Sequence, residues 1–489
     1  MHLKTICTWL TVLLLSLPTI HVSCQTVIPK EHQETIDAFV NGYNAQDFGA
    51  MRNSFGGALK LIFSEKMLKQ SYTSIYEYMG PATISEVQQR SSSGYHVLLK
   101  YQRDPTETMT YQMTLSKKSK IVGFGTRSER FRYNPETPGL NLTKDQLAHK
   151  IDSTLAIKNQ LAGLTGCVTV VKDKEVIYQN CIGESNREEG SRLNSESVFE
   201  LASVSKAFTA MGIMILAEQG KLKYDDLIEK YIPGLPYKGI TIEHLLWHTS
   251  GLPDYIELME KHWDKSKIAT NNDVIAYLKK YKPKRDFKPG KKHEYSNTGY
   301  LLLSSIIEAA SGMTYNQFLK QNIFEPLGMK HTRVYNTRRT IGERIPNYAY
   351  GYVYSDSLKS YVIPDSLPDY DYVTYLDGIT GDGLVNSTIS DMVLWSNVLR
   401  EQKLVSPETW QRAIRPYQTK KVKAGEYGYG WQLRLEPEYE HLIYHSGGWP
   451  GYITLITHFL DKELSVIVLT NSEYFNTQNL MGKIIQWTR

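Results

Sequence analysis

A dominant charge is the first thing this 489-residue chain lacks: 56 Lys and Arg oppose 51 Asp and Glu, a formal +5. With no Lys/Arg cluster or zinc-finger spacing beside it, nucleic acid is not the expected partner. Cysteine is scarce, four residues in all, and no His-Glu-x-x-His spacing accompanies the 13 histidines, so a metallohydrolase is disfavoured. Long apolar runs are also missing. The run Ile6–Leu17 is short of the roughly 20 residues a membrane-spanning helix needs. No internal repeat is visible. What remains is globular: 41% hydrophobic and 22% charged residues exclude a disordered chain, and the length implies two domains, one of them large.

Lys4, the short apolar run, Pro18 and the stretch His21-Val22-Ser23-Cys24-Gln25 read as a secretory signal peptide over residues 1–24. Export to a periplasmic or extracellular space follows. Cleavage after Cys24 starts the mature chain at Gln25. A lipid on Cys24 is the alternative, and only then is membrane association expected; against it, His21 stands where lipoprotein signals place Leu. Without the leader the charge is +4 and two cysteines are left. Cys167 and Cys181 flank two β-rich runs joined at Lys172-Asp173-Lys174, a hairpin. A two-residue turn pairs Cys167 with Asn180 and an odd-length turn pairs it with Cys181, so a disulfide and two buried thiols both stay open.

Residues 26–130 read as a small α+β unit. Ile36, Phe39, Val40 and Tyr43 share one helix face, and a second apolar-periodic stretch runs from Phe48 to about Tyr72. Strands follow: Tyr95, Val97, Leu99 and Tyr101 alternate with their neighbours, as do Met109, Tyr111, Met113 and Leu115, and Ile121–Phe124 closes the set. The order of elements resembles the cone-shaped nuclear-transport-factor-like fold. The unit shows no acid–base pair and reads as an accessory domain. Residues 131–144, bearing Pro135, Pro138 and Gly139, form the linker. Residues 145–489 are the large domain, an α/β (α+β) architecture whose sheet draws on both ends of the segment, with helices between.

The chemistry concentrates in three places. Within Leu201-Ala202-Ser203-Val204-Ser205-Lys206, an extended lead-in gives way to a helical run, placing Ser203 in a first helical turn and Lys206 one turn later on the same face. No other Ser-x-x-Lys occurs in the chain. A serine hydroxyl needs a base or cation to become a nucleophile, and a helix N-terminus offers N–H groups to an oxyanion. Second, Tyr295-Ser296-Asn297 lies in a polar turn before the apolar helix Leu301–Ala310. Tyr295 can act as general base when a cation lowers its pKa from about 10, with Lys206 the candidate cation. Asn297 can hold Lys206 and a substrate amide. A further Tyr-x-Asn, Tyr178-Gln179-Asn180, reads as structural. Third, His445-Ser446-Gly447-Gly448 reads as a turn ahead of a strand, with paired glycines that admit a ligand close to the backbone.

In this order the three motifs resemble those of the serine β-lactamase and penicillin-binding-protein superfamily, in its class C-like esterase and D-aminopeptidase branch. Leu245–Leu252, Phe324–Met329, Gly381–Ser387 and Tyr427–Trp431 also look like recurring segments of that branch. The resemblance implies a mainly antiparallel sheet flanked by helices, with a helical subdomain. It implies Ser203 as acylated nucleophile, Lys206 and Tyr295 as the base pair, and Asn297, His445, Ser446, Gly447 and Gly448 as substrate contacts, with the N–H groups of Ser203 and Gly448 forming the oxyanion hole. One departure matters. Where many relatives carry Lys-Thr-Gly, His445 stands, a weaker carboxylate anchor at pH 7, and Lys423-Ala424-Gly425 does not replace it.

The expected function is an exported serine hydrolase that cleaves an ester or a small D-amino acid peptide amide through an acyl-enzyme. No metal or organic cofactor is implied, and the partner is the small-molecule or short-peptide substrate. A β-lactamase or D-alanyl-D-alanine carboxypeptidase is the rival within enzymes. A penicillin-binding-like sensor that acylates without turnover is the rival of another class.

Overall fold

The structure is a computed structural model that describes residues 28–103, 108–128, 140, 142–335, 342, 344–355, 357–401, 403–417, 426–435, 441–473 and 477–488. The expected leader with Cys24, most of the linker 131–144, and Lys423-Ala424-Gly425 lie outside the described residues. The chain divides into two compact units, Met1–Gln102 with Glu107–Arg127, and Arg103–Thr106 with Ser128–Arg489.

In the smaller unit, α1 (Lys30–Asn44) buries Ile36, Phe39, Val40 and Tyr43, the face its periodicity predicts. The second apolar stretch does not form one helix. It breaks into α2 (Phe48–Ser54), α3 (Gly57–Ile62) and α4 (Glu65–Met79), because Gly57 turns at φ +58° and the Ser64 side chain caps α4 by accepting the Met67 N–H. Four strands then form an antiparallel meander, β1 (Ala82–Gln89), β2 (Gly94–Tyr101), β3 (Thr108–Leu115) and β4 (Ile121–Ser128). In strand β1 Ala82 and Ile84 alternate, but a bulge between Ile84 and Glu86 shifts the next apolar residue to Val87, and periodicity therefore misses the strand. The expected alternation on β2 holds, with Tyr95, Val97, Leu99 and Tyr101 all in the core.

The larger unit opens with α5 (Lys144–Ala162), started by a reciprocal Thr143/Gln146 capping box and ended by Gly163 in the left-handed region. Its sheet has six strands in the order β7-β8-β9-β10-β5-β6, from β5 (Gly166–Lys172), β6 (Glu175–Ile182), β7 (Gln432–Arg434), β8 (Leu442–Trp449), β9 (Tyr452–Phe459) and β10 (Leu464–Thr470). Every pairing is antiparallel. Both ends of the segment therefore contribute to one sheet, as expected, and meet at the β10–β5 pairing. Strand β10 is buried at all positions because helices cover both faces. Val466 and Val468 pack with Leu147 and Ile151 of α5 and with Ile484 of the C-terminal helix. The alternate Ile467 and Leu469 join the main core, which holds α6 (Ser205–Glu218), α7 (Ile242–Leu246), α8 (Asn297–Ser311) and α9 (Ile389–Glu401). Ser205 through Leu216 are buried on every side of α6, making it the central helix and fixing what its N-terminus can reach.

The hairpin resolves the cysteine question. The turn is two residues long, Asp173 and Lys174, both at positive φ, which on a regular ladder would set Cys167 against Asn180. A bulge intervenes: Val170 faces Tyr178 and Val171 faces Val176, so the register slips by one and Cys167 faces Cys181. The two form a disulfide. Tyr178 and Asn180 both donate to Asp152 of α5, at 2.6 and 2.8 Å, which makes that Tyr-x-Asn a structural clamp.

Candidate active site

The short strand Phe199–Glu200 pairs with Val385–Ser387 and delivers the chain to a 3-10 turn, Ala202–Val204, directly ahead of α6. Ser203 thus sits in the turn before the helix rather than within its first α-turn. Ala202 is held at φ +48°, a conformation a non-glycine residue adopts only when its surroundings impose it. The surroundings are specific. Thr454 of β9 donates to the Leu201 carbonyl at 2.7 Å. A Cβ on Gly447 would lie 2.3 Å from that carbonyl and 3.0 Å from the Ser203 nitrogen. The glycine lets β8 press against the nucleophile's turn. Gly447→Ala is therefore expected to cost at least about 2 kcal/mol. Gly448→Ala, whose Cβ would meet nothing nearer among the described residues than Ile453 Cδ1 at 3.8 Å, should melt like wild type. Equal melting temperatures for the two variants would contradict this packing.

Lys206, fully buried one turn on, donates to Ser203 Oγ at 3.0 Å and to the Asp382 carbonyl at 2.8 Å. These partners replace the expected Asn297 contact. The loop that presents the Asp382 carbonyl is anchored by α6 itself, through Thr209 to the Gly381 carbonyl at 2.6 Å and the Val385 N–H to Ser205 Oγ at 3.0 Å. The Asp382 carboxylate accepts from Tyr255 at 3.0 Å; burial pushes its pKa up to about 6, against the opposing pull of Lys206. Tyr295 is 41% exposed, and its ring centroid lies 5.0 Å from Lys206 Nζ. Asn297 opens α8, with Ser296 as its cap. Ser203, Asn297 and Gly448 line one cavity of about 180 Å³, together with Glu200, Asp377 and Asp382.

The third motif differs from its expectation. His445-Ser446-Gly447-Gly448 is part of strand β8, paired along its length with β9, and not a turn before a strand. His445 is 1% exposed and has no place on the cavity wall. Its Nδ1 donates to the Ser446 carbonyl at 2.8 Å, which leaves Nε2 to accept from Tyr427 at 2.9 Å. Burial, and then the Lys206 charge, push its pKa down to about 3. The expected substrate contact through His445 is corrected accordingly: both nitrogens are committed and the ring is neutral. Ser446, half-buried beside it, is likewise off the cavity lining.

This neutral histidine has a consequence for acid stability. An unfolded chain protonates it near pH 6.5, the folded protein only near 3, so between those values the unfolded state binds more protons. Stability is expected to be retained above about pH 6.5 and lost as the pH falls toward 3, by an amount on the order of 5 kcal/mol from this group. His445→Gln keeps an acceptor for Tyr427 and should flatten that slope in thermal unfolding; an unchanged slope would refute the assignment.

Asp382, Tyr255, Tyr427 and His248 are the site residues that residue-by-residue reading missed. The segments of Asp382, Tyr427 and His248 stood out only as resemblances, without roles, and Tyr255 lies outside all of them.

A serine at the start of a buried helix, a lysine amine on its oxygen and a strand of glycines alongside define a serine hydrolase of the Ser-x-x-Lys type. The Beta-lactamase family model matches residues 151–484, and the chain belongs to that family, the β-lactamase and penicillin-binding-protein serine hydrolases. Over 320 residues it is 44% identical to penicillin-binding protein 4* of Bacillus subtilis (strain 168), a match covering 65% of this chain and 70% of the relative. Among solved structures it is similar to the octameric penicillin-binding protein homologue from Pyrococcus abyssi, with a TM-score of 0.60, 28% identity, and coverage of 70% of this chain and 77% of that one. It is also similar to the D-amino acid amidase from Ochrobactrum anthropi SV3 complexed with L-phenylalanine amide, with a TM-score of 0.58, 25% identity, and coverage of 70% and 98%.

Proposed function

We propose that the protein is an exported hydrolase that cleaves an ester or the amide of a small D-amino acid through an acyl-enzyme on Ser203. The observation that carries the mechanism is the Lys206 amine 3.0 Å from Ser203 Oγ on the wall of the cavity. Ser203 Oγ attacks the carbonyl carbon, and its proton passes through the Tyr295–Lys206 pair to the leaving alcohol or amine. Backbone N–H groups of Ser203 and Gly448 hold the oxyanion. Water then cleaves the acyl ester and releases the acid. Asn297, on the cavity wall, contacts the substrate amide.

The preference for these substrates follows from charge. A carboxylate-bearing substrate, such as a penicillin or a D-alanyl-D-alanine peptide, wants a cation. The third motif offers a neutral buried imidazole instead, and the cavity wall carries Glu200, Asp377 and Asp382 with no Lys or Arg among its described residues. An uncharged ester or an amide with a free amine suits that wall better. The Cys167–Cys181 disulfide supports export, since such bonds persist in oxidising compartments. A panel of aryl esters, D-amino acid amides, a D-alanyl-D-alanine peptide and a chromogenic cephalosporin, run on wild type, tests the substrate reading. Cephalosporin or D-alanine release faster than ester or amide cleavage would overturn it. A stable mass adduct without turnover would favour a sensor. N-terminal sequencing of the mature chain tests export, and an intact Met1 would refute it.

A further inference from the structure

We infer that His248 is a positioning residue that holds Tyr295 against Lys206. The inference rests on the reading of Tyr295 as general base. Tyr295 lies on an irregular segment with no helix or strand of its own, so its placement needs an outside cause. That segment is stitched to residues 248–251 by backbone bonds, the Asp286 N–H to the Gly251 carbonyl at 3.0 Å, Gly290 to Thr249 at 2.8 Å, and Glu294 to His248 at 2.9 Å. The last of these fixes the residue before Tyr295. The His248 ring fixes the residue after it, because the Ser296 N–H donates to His248 Nδ1 at 3.0 Å. Between the two attachments the imidazole lies on the tyrosine ring itself, with centroids 4.3 Å apart and planes tilted by 34°. One side chain and its own carbonyl thus bracket Tyr295 on three sides.

The arrangement is built for this contact. His248 is fully buried and held at φ +54°, a strained conformation for a residue with a Cβ. Its ring is closed in by Tyr427 at 4.5 Å, Tyr300 at 5.0 Å and the ring of His293 at 6.0 Å. Accepting at Nδ1 puts the remaining proton on Nε2, which is buried and has no hydrogen-bond partner among the described residues. A neutral imidazole follows, and burial together with the Lys206 charge lowers its pKa in agreement. A cationic ring could not accept the Ser296 N–H, so the neutral form is what the bracket requires. The same Ser296 caps α8 by accepting the Gly299 N–H at 3.1 Å, which passes the fixed position of Tyr295 on to Asn297.

The test uses His248→Leu, which keeps bulk and removes the acceptor, and His248→Asn, whose carbonyl oxygen can stand near the Nδ1 position and which tolerates positive φ. For the ester turned over by wild type, His248→Leu is expected to lower kcat by about 10- to 100-fold with little change in KM, the scale of a misplaced catalytic group. His248→Asn should recover most of that loss. In a Tyr295→Phe background, His248→Leu should cost no further kcat. Amide hydrogen exchange over residues 293–297 should quicken in His248→Leu and return toward wild type in His248→Asn. Unchanged exchange in His248→Leu, or a kcat loss that multiplies with Tyr295→Phe, would overturn the inference. If Tyr295→Phe alone keeps wild-type kcat, the base assignment has failed, and the exchange data then judge the bracket by themselves.

Discussion

Ser203→Ala is expected to abolish turnover, lowering kcat/KM by about 10⁴- to 10⁶-fold and leaving only what binding and the oxyanion site supply. The variant should fold normally. Ser203 is half-buried, and its hydroxyl accepts from the Lys206 amine, which keeps its second partner, the Asp382 carbonyl. The turn around it is held by the Leu201 carbonyl and Gly447, neither of which involves the hydroxyl. A melting temperature near wild type with no labelling by an activated fluorophosphonate is therefore the combined outcome. Residual turnover within a hundredfold of wild type would mean that another group is the nucleophile.

The parts of the fold legible in the sequence are those set by local periodicity. Ser203 and Lys206 share a face because three residues make nearly one helical turn, and Ile36, Phe39, Val40 and Tyr43 share one for the same reason. The residues of β9 and β10 form apolar runs, whereas the paired glycines of β8 erase the strand signal in the segment that backs the nucleophile. Other features depend on long-range geometry that no spacing encodes. The Asp382 carbonyl reaches Lys206 across 176 residues, and as a backbone atom it leaves no trace in residue type. Likewise the disulfide hung on a single bulge beside Val171, which reversed the parity of a two-residue turn. The motif position of His445 puts it on the substrate. Only burial and the Tyr427 hydroxyl reveal that it faces inward.

Lys206→Met is the second large effect, a loss of about 10³- to 10⁴-fold in the rate of acylation. Methionine approximates the length and shape of the stem in a fully buried site but offers neither a donor to Ser203 Oγ nor a positive charge under Tyr295. The substitution should act electrostatically beyond the nucleophile. The Lys206 charge depresses the pKa of both His445 and His248 and opposes the rise at Asp382, so its removal moves all three upward. A higher folded-state pKa at His445 narrows the gap to the unfolded value near 6.5, and the acid-side loss of stability should shrink in the variant. Two measurements separate the roles of the ammonium. Burst kinetics with a chromogenic ester report acylation, and thermal unfolding between pH 3 and about 7 reports the field at the histidines. Acylation within tenfold of wild type would exclude Lys206 from proton transfer. An acid slope identical to wild type would show that the imidazoles are kept neutral by burial alone. If both change together, one buried cation activates the serine and keeps a proton off the two imidazoles packed around Tyr295.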